Sequence, residues 1–155
     1  MLLYLLRHAD ADTLAEDDAA RCLSEKGLAQ AKKVARFCRD HEIAPALVMS
    51  SPLRRAHETA LIVSAHLKVE LVVEPWLAPG MHPERAMEEL RGRRERESVM
   101  IVGHEPDFSR FAAHALGLPG EDRIILRKAS LTLIDLEGFR PAAARLKFSL
   151  PCRLM

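Results

Sequence analysis

The stretch that decides the fold is Met1-Leu-Leu-Tyr-Leu-Leu-Arg-His-Ala-Asp10, an apolar run that stops abruptly at Arg7-His8. Such a run suits either a buried strand or a core helix, and its short length favours the strand. A buried strand that ends in Arg-His places a cation and an imidazole at the edge where open α/β sheets bind their ligands. The stretch therefore predicts that His8 is a nucleophile.

Size and composition predict one ordinary globular domain over residues 1–155, with 48% apolar and 29% charged residues. The net charge is +1, from 23 Lys and Arg against 22 Asp and Glu, which argues against nucleic-acid or anionic-membrane partners. No apolar run approaches the roughly 20 residues that a membrane span needs. Any positively charged site must therefore be local.

The cysteines predict a reducing compartment. Cys22, Cys38 and Cys152 are odd in number and lie far apart, and the opening segment is too short for a secretory signal. We expect a cytoplasmic protein whose thiols are reduced and pack in the interior.

Hydrophobic periodicity predicts alternating strands and helices. Ser24 and Ser51 are expected to cap the first two helices, with Pro52 opening the second; Pro83 and Pro106 open two more. Leu28 is expected on the inward face of the first helix. The predicted strands span residues 2–6, 46–49, 69–73, 98–102, 130–136 and 142–150, the last two joined by a turn at Glu137-Gly138.

This order predicts an α/β fold, a three-layer αβα sandwich. Its central sheet is expected to be mainly parallel, with an antiparallel hairpin at the edge. The polar stretch from Ala9 to Asp18 is expected to form a loop over the carboxyl edge of the first strand.

Three of the predicted strands end in similar chemistry. The first ends in Arg7-His8, the second leads into Arg55 in the first turn of a helix, and the fourth ends at Gly103-His104. Each residue alone has an ordinary structural explanation, and Arg54 is expected to face solvent. Together, two Arg and two His at one sheet edge would form a pocket for a tetrahedral dianion, because guanidinium groups match phosphate oxygens.

These segments resemble the signatures of the histidine phosphatase superfamily, also called the phosphoglycerate-mutase-like superfamily. The matching segments are Leu6-Arg7-His8-Ala9, Ser50-Ser51-Pro52-Leu53-Arg54-Arg55-Ala56-x-x-Thr59-Ala60 and Val102-Gly103-His104. Within the superfamily, Arg21-Cys22-Leu23-Ser24-Glu25-Lys26-Gly27 and Leu150-Pro151-Cys152 are most similar to SixA-type phosphohistidine phosphatases.

The resemblance implies a role for each residue. His8 would attack phosphorus and become a phosphohistidine, with its other ring nitrogen held by a backbone carbonyl. Arg7, Arg55 and His104 would bind the phosphoryl oxygens. Arg21 is a further candidate phosphate ligand, although it could instead pair with Asp17 or Asp18. The family pattern supplies no metal or other cofactor.

A general acid has no clear match here. The larger family members supply a Glu between the second and third motifs, where this chain has only His82 and Glu84 at a predicted helix start. An ester leaving group needs such a proton, worth about 10²–10⁴-fold in rate. A phosphohistidine leaves as imidazole, whose pKa of about 6.5 lets it depart with less help.

The sequence therefore favours a phosphohistidine phosphatase acting on a protein such as a histidine phosphotransfer domain. A phosphatase for small phosphoesters or sugar phosphates is the alternative. A phosphate-binding module without turnover is less favoured, because both His8 and Arg55 are present.

Overall fold

A six-stranded mixed sheet runs through the centre of the computed structural model, which describes residues 1–13 and 17–155. Its strands are β1 (Leu2–Arg7), β2 (Val48–Ser50), β3 (Leu71–Val73), β4 (Ser98–Gly103), β5 (Leu131–Leu136) and β6 (Ala144–Leu150). The spatial order is β3-β2-β4-β1-β5-β6. The first four strands in that order are parallel to one another, β5 runs antiparallel to β1, and β6 runs antiparallel to β5. The predicted α/β sheet with an antiparallel edge is confirmed.

Four helices cover the two faces of the sheet. They are α1 (Glu25–Asp40), α2 (Arg54–Leu67), α3 (Pro83–Arg91) and α4 (Asp107–Leu116). Short 3-10 turns lie at Asp18–Ala20, Pro75–Leu77, Glu121–Arg123 and Cys152–Leu154. None of the helices in these described ranges is long and apolar enough to cross a membrane.

Strand β1 is buried on both faces, which explains its unbroken apolar sequence. Leu3 and Leu5 pack into the core under α3 and α4, whereas Tyr4 and Leu6 pack into the core under α1 and α2. Because β1 lies between β4 and β5, its last residues reach the middle of the carboxyl edge.

Helix α1 begins as predicted, since the Ser24 hydroxyl accepts a hydrogen bond from the Gly27 amide at 3.1 Å. A side chain at Gly27 would meet the Asp10 carbonyl oxygen at 1.9 Å, so this glycine allows the loop after β1 to lie against the helix. The prediction that Leu28 faces inward is wrong, because the buried stripe starts at Gly27 and leaves Leu28 40% exposed.

Two further predictions of element bounds are corrected. Helix α2 begins at Arg54 with Leu53 as its N-cap, not at Pro52, and the Ser51 hydroxyl instead contacts the Leu53 amide and His104. The β5–β6 connection covers residues 137–143, longer than a tight turn; the amides of Glu137 and Gly138 both donate to the Ala143 carbonyl. Of the loop predicted after His8, residues 14–16 lie outside the described residues.

Candidate active site

The ends of β1 and β4 lie side by side and bring two histidines together. Arg7 is paired with Gly103 in the sheet, and the His8 amide donates to the Gly103 carbonyl at 3.0 Å. The rings of His8 and His104 consequently approach to 5.1 Å between centroids. A side chain at Gly103 would lie 2.8 Å from the Phe108 ring, which accounts for the glycine before His104.

The His8 ring has a defined tautomer. Its Nδ1 lies 2.7 Å from the carbonyl oxygen of Ala9, which can only accept, so Nδ1 carries the proton and Nε2 has a free lone pair. Burial lowers the pKa of His8 to about 4, with smaller contributions from Arg55 and Arg7. The imidazole is therefore neutral at physiological pH, as a nucleophile must be.

Thr59 connects the end of β1 to α2. Its hydroxyl accepts from the Ala9 amide at 3.1 Å and donates to the Arg55 carbonyl at 2.7 Å. Thr59 is fully buried. The segment that orients His8 is thus tied directly to the helix turn that carries Arg55.

Arg7 is held by the loop that precedes β5. Its Nη1 donates to the Leu126 carbonyl at 2.8 Å, while the Ala129 amide lies 3.1 Å from the Arg7 carbonyl oxygen. Its Nε is buried and has no hydrogen-bond partner among the described residues. Burial lowers the pKa of Arg7 from its ordinary value.

Arg55 points into the structure and Arg54 points out, as predicted. Arg55 is 6% exposed and binds Asp18 twice, with Nη1 on its carbonyl oxygen at 2.6 Å and Nη2 on its carboxylate at 3.0 Å. Arg54 pairs on the surface with Glu58 at 2.8 Å. The Asp18 carboxylate is therefore bound to the Arg55 guanidinium group, which the sequence predicts to bind phosphate.

His104 is fixed by a serine. Its Nε2 lies 2.8 Å from the Ser51 hydroxyl oxygen, and the Leu53 amide donates a hydrogen bond to the same oxygen at 3.2 Å. Nδ1 of His104 is buried without a partner within residues 1–13 and 17–155. Burial, followed by the nearby His8 and Arg55, lowers the pKa of His104 to about 3.

Arg21 takes the alternative that the sequence left open. Its Nη1 pairs with the Asp18 carboxylate at 2.9 Å, and its Nε donates to the Asp12 carbonyl at 2.6 Å. Asp18 therefore bridges Arg21 and Arg55, and Arg21 belongs to the rim of the site.

The weak acid candidates lie at the start of α3. His82 is exposed and precedes the helix, and Glu84 in its first turn lies 3.9 Å from His114. Neither has a hydrogen bond to Arg7, His8, Arg55 or His104 in the described part of the chain.

A different carboxyl group lies nearer to the site. Glu105 follows His104 and lines a surface cleft together with Arg7. One of its oxygens is buried without a partner among the described residues, and burial raises the pKa of its carboxyl group. Its position directly after the Gly103-His104 motif is the sequence signal that could have singled it out.

The cysteines are free thiols. Cys38 and Cys152 are buried and Cys22 is half-buried. Burial raises the pKa of the Cys38 thiol to about 12 and also raises that of Cys152. Cys38 and Cys152 agree with the predicted packing role, whereas Cys22 lies partly exposed with its thiol 3.6 Å from the Asp12 carboxylate.

The arrangement suits a phosphoryl group. The neutral Nε2 of His8 has the properties that a nucleophile needs and lies near two guanidinium groups, and buried polar atoms without partners are typical of groups that a ligand satisfies. The described residues contain no cluster of three or more His, Cys, Asp or Glu that could hold a metal ion.

Comparison with known proteins agrees with this chemistry. The family model "Histidine phosphatase superfamily (branch 1)" matches residues 3–78. An uncharacterized protein of Picosynechococcus sp. is 31% identical over 95% of this chain and 89% of its own length. The chain belongs to the histidine phosphatase superfamily and is a phosphatase.

Solved structures with the same fold include phosphatases of two substrate types. The histidine phosphatase SixA complexed with tungstate has a TM-score of 0.89 at 22% identity, covering 100% of both chains. A putative phosphohistidine phosphatase SixA from Agrobacterium tumefaciens has a TM-score of 0.84 at 26% identity and 97% of both chains. A putative alpha-ribazole-5'-P phosphatase from Escherichia coli has a TM-score of 0.82 at 18% identity and 98% of both chains.

Proposed function

We propose that this protein is a phosphohistidine phosphatase that removes phosphate from a histidine on another protein, with residues 1–155 acting as one domain. The observation that carries the proposal is the His8 ring. Its Nδ1 proton is engaged by the Ala9 carbonyl, so that a neutral Nε2 faces the cationic site. The likeness to the SixA protein of Agrobacterium tumefaciens, at 26% identity, supports the same substrate class.

In the first chemical step, Nε2 of His8 attacks phosphorus as the bond from phosphorus to the substrate imidazole breaks. When the substrate phosphohistidine is protonated on its other ring nitrogen, breaking this bond releases a neutral histidine imidazole, so the leaving group needs no further proton. The product is a phosphohistidine on His8. Arg7, Arg55 and His104 bind the phosphoryl oxygens as their charge redistributes.

In the second step, water attacks the phosphorus of the phosphorylated His8. The phosphorus–nitrogen bond breaks, inorganic phosphate leaves, and Nε2 recovers its lone pair. The Ala9 carbonyl holds the Nδ1 proton throughout and keeps the ring in the same orientation.

For phosphate to reach Arg55, the Asp18 carboxylate must leave its guanidinium group. Asp18 lies on an exposed 3-10 turn, and its side chain is 62% exposed. Arg55 itself is buried, but the exposed Asp18 carboxylate can leave its guanidinium group and remain hydrated. A dianionic phosphoryl group, with more oxygens and more charge, can therefore displace it.

The test compares leaving groups on one enzyme. The purified protein is incubated with a phosphorylated histidine phosphotransfer domain, with phosphoimidazole, and with phosphate esters including p-nitrophenyl phosphate and glucose 6-phosphate. We expect fast release from the two phosphohistidine-type substrates, acid-labile label trapped on His8, and no turnover by His8→Ala. Fast turnover of esters alone would overturn the proposal, and binding without release would indicate a phosphate-binding module.

Glu105 favours one second candidate, a phosphatase for small phosphoesters. A half-buried carboxyl group with a raised pKa beside Arg7 has the properties of a general acid for an alkoxide leaving group. Glu105→Gln separates the two functions, because the amide cannot donate that proton. A loss of about 10²-fold or more on esters, in an enzyme that turns esters over quickly, would support this alternative.

A further inference from the structure

A strongly basic cleft opens beside Arg7. It has a volume of about 360 Å³, and the charged side chains that line it are Arg7, Asp10, Lys26, Arg127, Lys128 and Arg153. Five cations therefore face one carboxylate in a chain whose net charge is only +1. Charge of one sign focused in a cleft attracts ligands of the opposite sign.

The one carboxylate that lines the cleft is already bound by neighbouring side chains. Asp10 accepts from the Lys128 ammonium at 2.6 Å through Oδ1 and from the Ser24 hydroxyl at 2.8 Å through Oδ2. These contacts, the Lys128 hydrogen bond first, lower the pKa of Asp10 below its ordinary value. Within the described ranges no carboxylate forms an ion pair with the remaining three cations, Lys26, Arg127 and Arg153.

The backbone that carries these cations is fixed relative to the site. The Ala129 amide lies within hydrogen-bond distance of the Arg7 and His8 carbonyl oxygens, which holds the adjacent Lys128 near the end of β1. The Arg153 carbonyl accepts from Lys33 of α1 at 3.3 Å. Backbone hydrogen bonds thus place part of the cleft directly beside the end of β1, next to Arg7.

We propose that this cleft binds acidic side chains that flank the phosphorylated histidine of the protein substrate. The inference rests on the proposed function and specifies its partner. Lys26, Arg127 and Arg153 are exposed and come from three separate segments, so they present spread charge on an open surface. Clustered, solvated Arg and Lys side chains suit acidic peptide segments, whereas a small second anion is normally enclosed.

The test uses two phosphohistidine peptides that differ only in flanking residues, three Glu in one and three Gln in the other, with phosphoimidazole as the minimal substrate. The variant is Lys26→Glu/Arg127→Glu/Arg153→Glu. A matched control reverses three exposed cations elsewhere, Arg36→Glu/Arg94→Glu/Arg140→Glu. Turnover of phosphoimidazole reports the site itself, and the ratio between the peptides reports the cleft.

We expect the wild type to prefer the Glu peptide by about tenfold or more in kcat/KM, a preference that falls with added salt. The cleft variant should lose the preference and keep phosphoimidazole turnover, and the control should keep both. Equal rates of the wild type on the two peptides would overturn the inference, as would an equal loss of the preference in the control variant. Failure on phosphoimidazole and both peptides would instead refute the proposed function; binding of the Glu peptide to His8→Ala would then still test the cleft.

Discussion

The floor and the rim of the site are built differently. The floor consists of the ends of β1, β2 and β4, where sheet hydrogen bonds place Arg7, His8 and His104 among buried residues. The rim is the turn at Asp18–Ala20, whose residues are exposed and which Arg21 and Arg55 contact through their side chains. The difference implies that the floor provides the chemistry, while the rim controls access to it.

The two arginines at the start of α2 give the sharpest test of the floor. Arg55→Ala should lower kcat/KM by about 10²–10³-fold, the usual cost of removing a donor that stabilises transition-state charge. Arg54→Ala, one residue earlier and on the surface, should change it by less than about twofold. Steady-state kinetics on phosphoimidazole measures both, and equal losses would show that the helix turn rather than the guanidinium matters.

Acid titration tests whether the floor is buried as described. Because the folded-state pKa of His8 is about 4, the unfolded chain binds a proton between pH 6.5 and 4 that the native protein does not. Stability should therefore be complete above pH 6.5 and decline as the pH falls through this window, by roughly 3 kcal/mol for His8 alone. His104, with a pKa of about 3, adds to the decline in the same direction.

Urea unfolding at pH 7.5, 5.5 and 4.5 measures this decline. The profile of His8→Gln should be flatter than that of the wild type, whereas His82→Gln, at an exposed position, should follow the wild type. If all three proteins lose stability equally, the buried histidines do not cause the pH dependence.

The floor was predictable from sequence because it depends on strand ends. The short apolar run from Leu2 to Leu6 favours a buried strand, and parallel strands bring their carboxyl ends to one edge, which is where His8 and His104 meet. The rim was less predictable, because its geometry depends on individual contacts. The sequence predicts Asp18 as a possible partner of Arg21, but its ion pair with Arg55 depends on how the turn lies against α2.

Ser51 shows the same limit at a single residue. A serine followed by proline has the pattern of a helix cap, yet the hydroxyl binds His104 and the helix starts later. Periodicity carries no information about a side chain whose partner lies 53 positions away.

Replacing Ser51 tests whether its contact with His104 positions the imidazole in the floor of the site. Ser51→Ala leaves both ring nitrogens of the buried His104 without a described partner, which should lower kcat about tenfold and cost about 1–3 kcal/mol of stability. Ser50→Ala is the matched control, since that buried hydroxyl donates only to the Ser51 carbonyl. It should lower stability but leave kcat unchanged; a similar kinetic loss in both would indicate a general packing effect.

The smallest expected effect concerns the rim, where a substitution should strengthen phosphate binding rather than weaken it. Asp18→Asn keeps the backbone carbonyl that Arg55 contacts but removes the charge that competes with phosphate. Because a dianionic phosphate already carries more charge than the competing carboxylate, the gain should be modest, and inorganic phosphate should inhibit the variant at about two- to fivefold lower concentration than the wild type. Asp40→Asn, which removes an exposed carboxylate paired with Arg39 on α1, should have no effect. If Asp18→Asn instead weakens phosphate inhibition, Asp18 positions Arg55 rather than competing with its ligand, and the rim is then part of the same rigid structure as the floor.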